Sequence, residues 1–139
     1  MGMSIPNAAD APPLLTDDDV LHRVRQLVGP ASAVRQLWIM FVDGDSRQAP
    51  VIVPIADIPR RPQAGPLDGL ARILAGLREG LATDVGPGSV ILTLERVGTD
   101  EALPADDEWA GALAATCERA GMALRGVFLS TDGGVRRLG

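Results

Sequence analysis

The segment from Ser89 to Ala120 sets the tightest limits on what this chain can be. It runs SVILTLERVGTD, then EALP, then ADDEWAGALAATCERA: an apolar strand, a polar loop and a helix. Val90 to Leu94 is apolar enough to sit in the centre of a sheet. The end of such a strand, where it runs into a loop before a helix, is a common place for α/β proteins to put their chemistry. This loop holds no His, Cys or Lys and no Gly-rich phosphate cradle. The layout therefore predicts a fold more sharply than a reaction.

The flanking patterns predict the other elements. Thr16 followed by Asp17, Asp18 and Asp19 reads as an N-cap with acids in the first turn, where the helix dipole favours them. Val20, Leu21, Val24, Leu27 and Val28 then share a helix face that Gly29-Pro30 ends. Arg35–Val42 and Ala49–Ile55 read as strands joined at Asp43-Gly44-Asp45-Ser46, a hairpin signal. Pro50 and Pro54 place the second of them towards an edge. Leu70, Ile73, Leu74, Leu77 and Leu81 repeat at helical spacing. Gly69, Gly76 and Gly80 weaken that helix by about 1 kcal/mol each relative to Ala, a cost that close packing on a sheet would explain. Ala105–Ala120 reads as a third helix with Trp109, Leu113 and Cys117 on one side. Met122–Leu129 and Val135–Leu138 are the last strands, around an Asp132-Gly133-Gly134 turn. The expected fold is a mixed-sheet α/β protein with α/β/α layering and the order α-β-β-α-β-α-β-β.

Composition narrows the function classes. The chain has 139 residues, enough for one cored domain. We expect that domain over residues 14–139, behind a Pro/Ala-rich segment, 1–13, whose composition predicts disorder. The net charge of −5 argues against a nucleic-acid partner, which would need a basic face. A lone cysteine, Cys117, excludes an internal disulfide and a multi-Cys zinc site. No apolar run reaches the roughly 20 residues of a membrane span, and the start lacks the basic and apolar regions of a secretion signal. A cytoplasmic location is the expectation. The absence of Lys and Tyr beside abundant Ala, Gly, Pro, Asp and Arg points to GC-rich bacterial codons.

Three stretches together resemble the JAB/MPN metalloprotease-like fold, in particular its bacterial RadC-like branch. RQLWIMFVDGDSRQAPVIVPI is similar to the opening hairpin of that family. LARILAGLREGLATDVGPGSVILTLERVGTD is similar to its helix and central strand. PADDEWAGALAATCERAGMALRGVFLSTDGGVRRL is similar to its next helix and two strands around a DGG turn. Active members carry His-x-His-Pro-x-Gly at the end of the central strand and an Asp about ten residues on, which together hold zinc. Here Leu94 and Arg96 stand at the two His positions and Val97 at the Pro position, while Asp106 or Asp107 falls near the Asp position. Arginine keeps its charge and does not ligate zinc. The single histidine, His22, lies on the first helix. The resemblance thus implies the fold without the metal: a pseudoenzyme with no cofactor.

The leading expectation is a non-catalytic protein-interaction or scaffold domain, with a protein partner or a homodimer. Leu77 and Trp109 are its candidate interface residues, and the Leu70–Leu81 helix and the Ala49–Ile55 strand its candidate surfaces. The alternative is a small-ligand binder or metal-independent enzyme using Glu95, Arg96, Asp100 and Asp106 at the end of the central strand, with Arg60 or Arg61 beside them. Other polar features have plainer readings. His22 is a helix-surface histidine. Cys117 is a core hydrophobe. Asp43–Ser46 is a turn that lacks the rest of a calcium loop. Asp106, Asp107 and Glu108 complement a helix dipole, and Arg136-Arg137 is surface charge.

Overall fold

A computed structural model describes residues 3–4, 12–31 and 35–138. The elements are β1 (Met3–Ser4), α1 (Asp17–Leu27), β2 (Arg35–Val42), β3 (Gln48–Ala56), α2 (Ala64–Leu81), β4 (Ser89–Arg96), α3 (Pro104–Ala120), β5 (Ala123–Thr131) and β6 (Gly134–Arg137). This is the mixed α/β order expected from the sequence, preceded by a two-residue strand. The rest of the N-terminal segment expected to be disordered lies outside the described residues, except for Pro12 and Pro13, which lead into the buried Leu14.

The six strands form one sheet in the order β1-β3-β2-β4-β5-β6. β4 pairs antiparallel with β2 and parallel with β5. The parallel step requires a crossover, which α3 supplies. Every residue of β4 is buried. β3 lies next to the outer edge, as its prolines suggested, and β1 pairs with it only at Val51 and Ile52.

Strand alternation divides the core in two. Leu37, Ile39, Phe41, Val90, Leu92, Leu94, Val127 and Leu129 face α2 and α3, where Leu70, Leu74, Trp109, Leu113 and Cys117 meet them. Met40, Val42, Ile52, Ile91 and Phe128 face α1, where Val20 and Val24 cover them. The chain is therefore a three-layer α/β/α sandwich, with a single helix on one side.

Local chemistry sets the helix boundaries. In α1 the Thr16 hydroxyl accepts from Asp19 N at 3.1 Å, and the Asp19 carboxylate accepts from Thr16 N at 3.0 Å. This reciprocal box satisfies donors that the first turn leaves orphaned. α3 ends at Gly121, whose φ of 70° is left-handed, so its N–H can reach back to the last carbonyls.

α2 differs from the periodicity argument. Leu70, Leu74 and Leu81 are buried, but Ile73 and Leu77 are 50% and 42% exposed. The helix packs on α3 and on the middle of the sheet, so the flank carrying Ile73 and Leu77 turns towards β3, where no further helix lies among the described residues. Its glycines also differ from expectation. A Cβ at Gly69, Gly76 or Gly80 would meet nothing within 4 Å, so close packing on the sheet does not account for them.

Candidate functional site

Glu95 and Arg96 are consecutive on β4 and therefore point to opposite faces of the sheet. Arg96 is 3% exposed and Asp106, in the first turn of α3, 1%. Arg96 Nε donates to Asp106 Oδ1 at 3.0 Å and Nη2 to Oδ2 at 2.7 Å. The same guanidinium donates to the carbonyls of Thr99 and Glu101, at 2.9 Å each. Asp106 also accepts from Leu103 N at 2.8 Å, which caps α3. Burial alone would raise the Asp106 pKa. The hydrogen bonds from Arg96 and Leu103 N, with the charges of Arg96 and Arg35, outweigh it and hold the carboxyl below its ordinary value. This cluster ties the 97–103 loop to the end of the central strand, and each group in it is already engaged.

On the opposite face, Glu95 is 1% exposed. Its Oε1 accepts from Trp38 Nε1 at 2.8 Å and from Gln36 Nε2. Gln36 lies directly across the β2–β4 ladder from Glu95, so backbone register places that donor. Asp100 is separate from both groups. It is exposed, its side chain lies against Gly133, and its carbonyl accepts from Arg136 Nη1 at 3.1 Å. The structure thus joins Arg96 to Asp106 and sets Glu95 and Asp100 apart. Arg61 pairs with Glu108 on the surface.

Leu94, at the first position where the resemblance would put an imidazole, is core, and Arg96, at the second, is committed to Asp106. These residues do not fit a zinc ion. Among the described residues no group of three or more His, Cys, Asp or Glu side chains could hold a metal. Cys117 is buried, and burial pushes its thiol pKa up to about 11.

Trp109 lies inside the protomer at 2% exposure. Its Nε1 donates to the carbonyls of Pro59 and Arg60, at 3.2 and 3.0 Å, which fixes the chain entering α2. Its surface is spent on the core rather than offered to a partner.

Leu77 has different surroundings. It lines an apolar groove of about 600 Å³ between α2 and the β2–β3 hairpin. Ile39 and Phe41 form the floor, Val53 and Ile55 one wall, and Ile73 and Leu77 the other. Among the described residues, no charged side chain lines it. Its size is that of a ligand or peptide cleft, and large exposed apolar surfaces on soluble domains commonly mark interaction sites. The α2 and β3 stretches were legible as candidate surfaces. The floor residues were not, because Ile39 and Phe41 belong to the continuous apolar run Leu37–Val42 of a strand that reads as buried. No helix among the described residues is long and apolar enough to cross a membrane.

Comparison with known protein families, curated proteins and solved structures gave no match for this chain.

Proposed function

We propose that this chain is a non-catalytic protein-interaction domain that binds through the groove between α2 and β3, and that it is a metal-free, cytoplasmic relative of the JAB/MPN fold. The groove carries the reading: a concave apolar surface with Ile73 and Leu77 standing half-exposed at its rim. Because each is already about half-buried, covering what remains contributes on the order of 1 kcal/mol each. The family part rests on the hairpin, the helix-to-central-strand passage and the last two strands, which follow the order the resemblance implies. A polar ligand site at the end of β4 has less behind it, since Arg96 and Asp106 satisfy each other and Glu95 faces the other way.

The test is capture from the native host with tagged wild type and with Leu77→Asp. The substitution is at an exposed position, so circular dichroism should show an intact fold. The reading predicts a specific protein retained by wild type and lost by the variant. Equal retention by both, or none by either, refutes it.

A further inference from the structure

Arg23 and Arg96 are the buried arginines among the described residues, at 7% and 3% exposure, and their surroundings differ. Arg96 spends its donors on the Asp106 carboxylate and two carbonyls. Arg23 has only neutral acceptors. Its Nη1 donates to Gln48 Oε1 and its Nη2 to the Pro12 carbonyl, each at 2.7 Å. Its other N–H groups, Nε among them, have no acceptor, and no carboxylate pairs with it among the described residues. Asp19, one turn earlier on α1, turns back instead to the N–H groups of Leu15 and Thr16, at 3.1 and 3.0 Å. Gln48 is 4% exposed, and its Nε2 also has no acceptor. This corner of the protein therefore buries a positive charge and more donors than acceptors, an arrangement that is costly until an acceptor meets it.

We propose that the cavity between the Pro12–Leu14 segment and α1 binds a small oxyanion, a carboxylate or a phosphate, through the Arg23 guanidinium. The cavity holds about 170 Å³ and is lined by Pro12, Pro13 and Leu14 on one side and by Asp19, His22, Arg23 and Gln26 on the other. Pockets for drug-sized ligands start at roughly 300 Å³, so its size suits an ion of a few atoms. A guanidinium offers a planar fork of donors that matches either oxyanion. The walls are fixed in place. The Leu14 carbonyl accepts from Arg125 Nη2 at 2.6 Å, and Leu14 N donates to the Ser46 carbonyl at 2.7 Å. Asp19 is the one acid on the wall, and its charge is already answered. The hydrogen bonds from Thr16 N and Leu15 N, and more weakly the Arg125 charge, hold its carboxyl below the ordinary value. The site lies on the α1 face of the sheet, across from the groove, and does not depend on the reading of that groove.

Thermal melts and NMR titrations with sodium phosphate, sodium acetate and sodium chloride at matched ionic strength test this. A ligand that binds only the folded state raises the melting temperature saturably, and the Arg23 Nε–H resonance should move along the same curve. Gln26→Glu keeps the fold because position 26 is exposed, and it sets a carboxylate three residues from Arg23 on the cavity wall. That variant should melt higher than wild type in chloride and bind the oxyanion about tenfold or more weakly through like-charge contact. Arg23→Met should lose the saturable response altogether. A response to phosphate alone or to acetate alone supports the site and identifies which oxyanion it takes. No saturable shift with either, an equal shift with chloride, or an undiminished shift in Gln26→Glu overturns the proposal.

Discussion

Arg96→Met should be among the most damaging single substitutions in this protein, and the reason is the carboxylate it leaves behind. The Thr99 and Glu101 carbonyls would also lose a donor, but both residues are exposed, so water replaces it at little cost. Asp106 is 1% exposed and would keep only the Leu103 N–H among these bonds. A buried charge stripped of its partner costs about 3–5 kcal/mol, a large share of the roughly 5–15 kcal/mol that holds a domain of this size folded. Asp106→Leu should cost a similar amount by stranding the guanidinium. The double variant removes both charges, so its cost should be far below the sum of the singles, within about 1 kcal/mol of wild type if the apolar pair fills the space. Urea unfolding at pH 7, followed by Trp38 and Trp109 fluorescence, gives all four corners of the cycle. A single-variant cost below about 1 kcal/mol, or a double variant that sums the singles, would refute the argument.

Three further outcomes follow from the same structure. Because the folded-state pKa of Asp106 is depressed, its contribution is fully present above the ordinary value of 3.8 and is lost as pH falls through the lower folded value. An acid titration of stability should therefore be steeper for wild type than for Asp106→Asn, and equal slopes would contradict this. The Cys117 thiol, pushed up to about 11 by burial, should resist a thiol reagent at pH 8 and be labelled only at the rate of unfolding, accelerating with urea; rapid stoichiometric labelling in buffer would count against a buried thiol. Gly121→Ala should cost about 1–2 kcal/mol, since φ of 70° at the end of α3 is left-handed, and a thermal melt that does not fall would show the helix ending another way.

The fold was legible where one physical rule dominates. The largely apolar Val90–Leu94 stretch of β4, the Asp-Gly hairpin, the Thr16 cap and the Gly121 terminus each follow from local chemistry. The site was legible only in part. Strand alternation alone separates Glu95 from Arg96, but which residue meets each depends on register: Gln36 comes from across the β2–β4 ladder and Asp106 from the far end of a loop. On α2 the five apolar positions cover an arc of about 100°. The helix axis could sit anywhere within that arc, so periodicity could not say that Leu70, Leu74 and Leu81 would be buried and Ile73 and Leu77 left half-open. Trp109 showed the converse. Its indole N–H found two carbonyls at the entry to α2, contacts about fifty residues away in sequence that no local pattern encodes.

These contacts divide the molecule's polar and apolar resources in a way that favours the proposed binding surface over the strand end. At the end of β4, two buried acids are each held by donors, one on each face of the sheet, and one of them also anchors the loop and the start of α3. Groups so fully satisfied gain nothing from a ligand that would have to displace their partners, and displacement would expose a buried charge to the same penalty that makes Arg96→Met costly. The unspent apolar surface lies instead beside the β2–β3 hairpin, where apolar side chains line a cleft that α2 leaves uncovered and nothing need be broken to fill it. Substitutions at the strand end should therefore read out as stability, and substitutions at Ile73 and Leu77 as association.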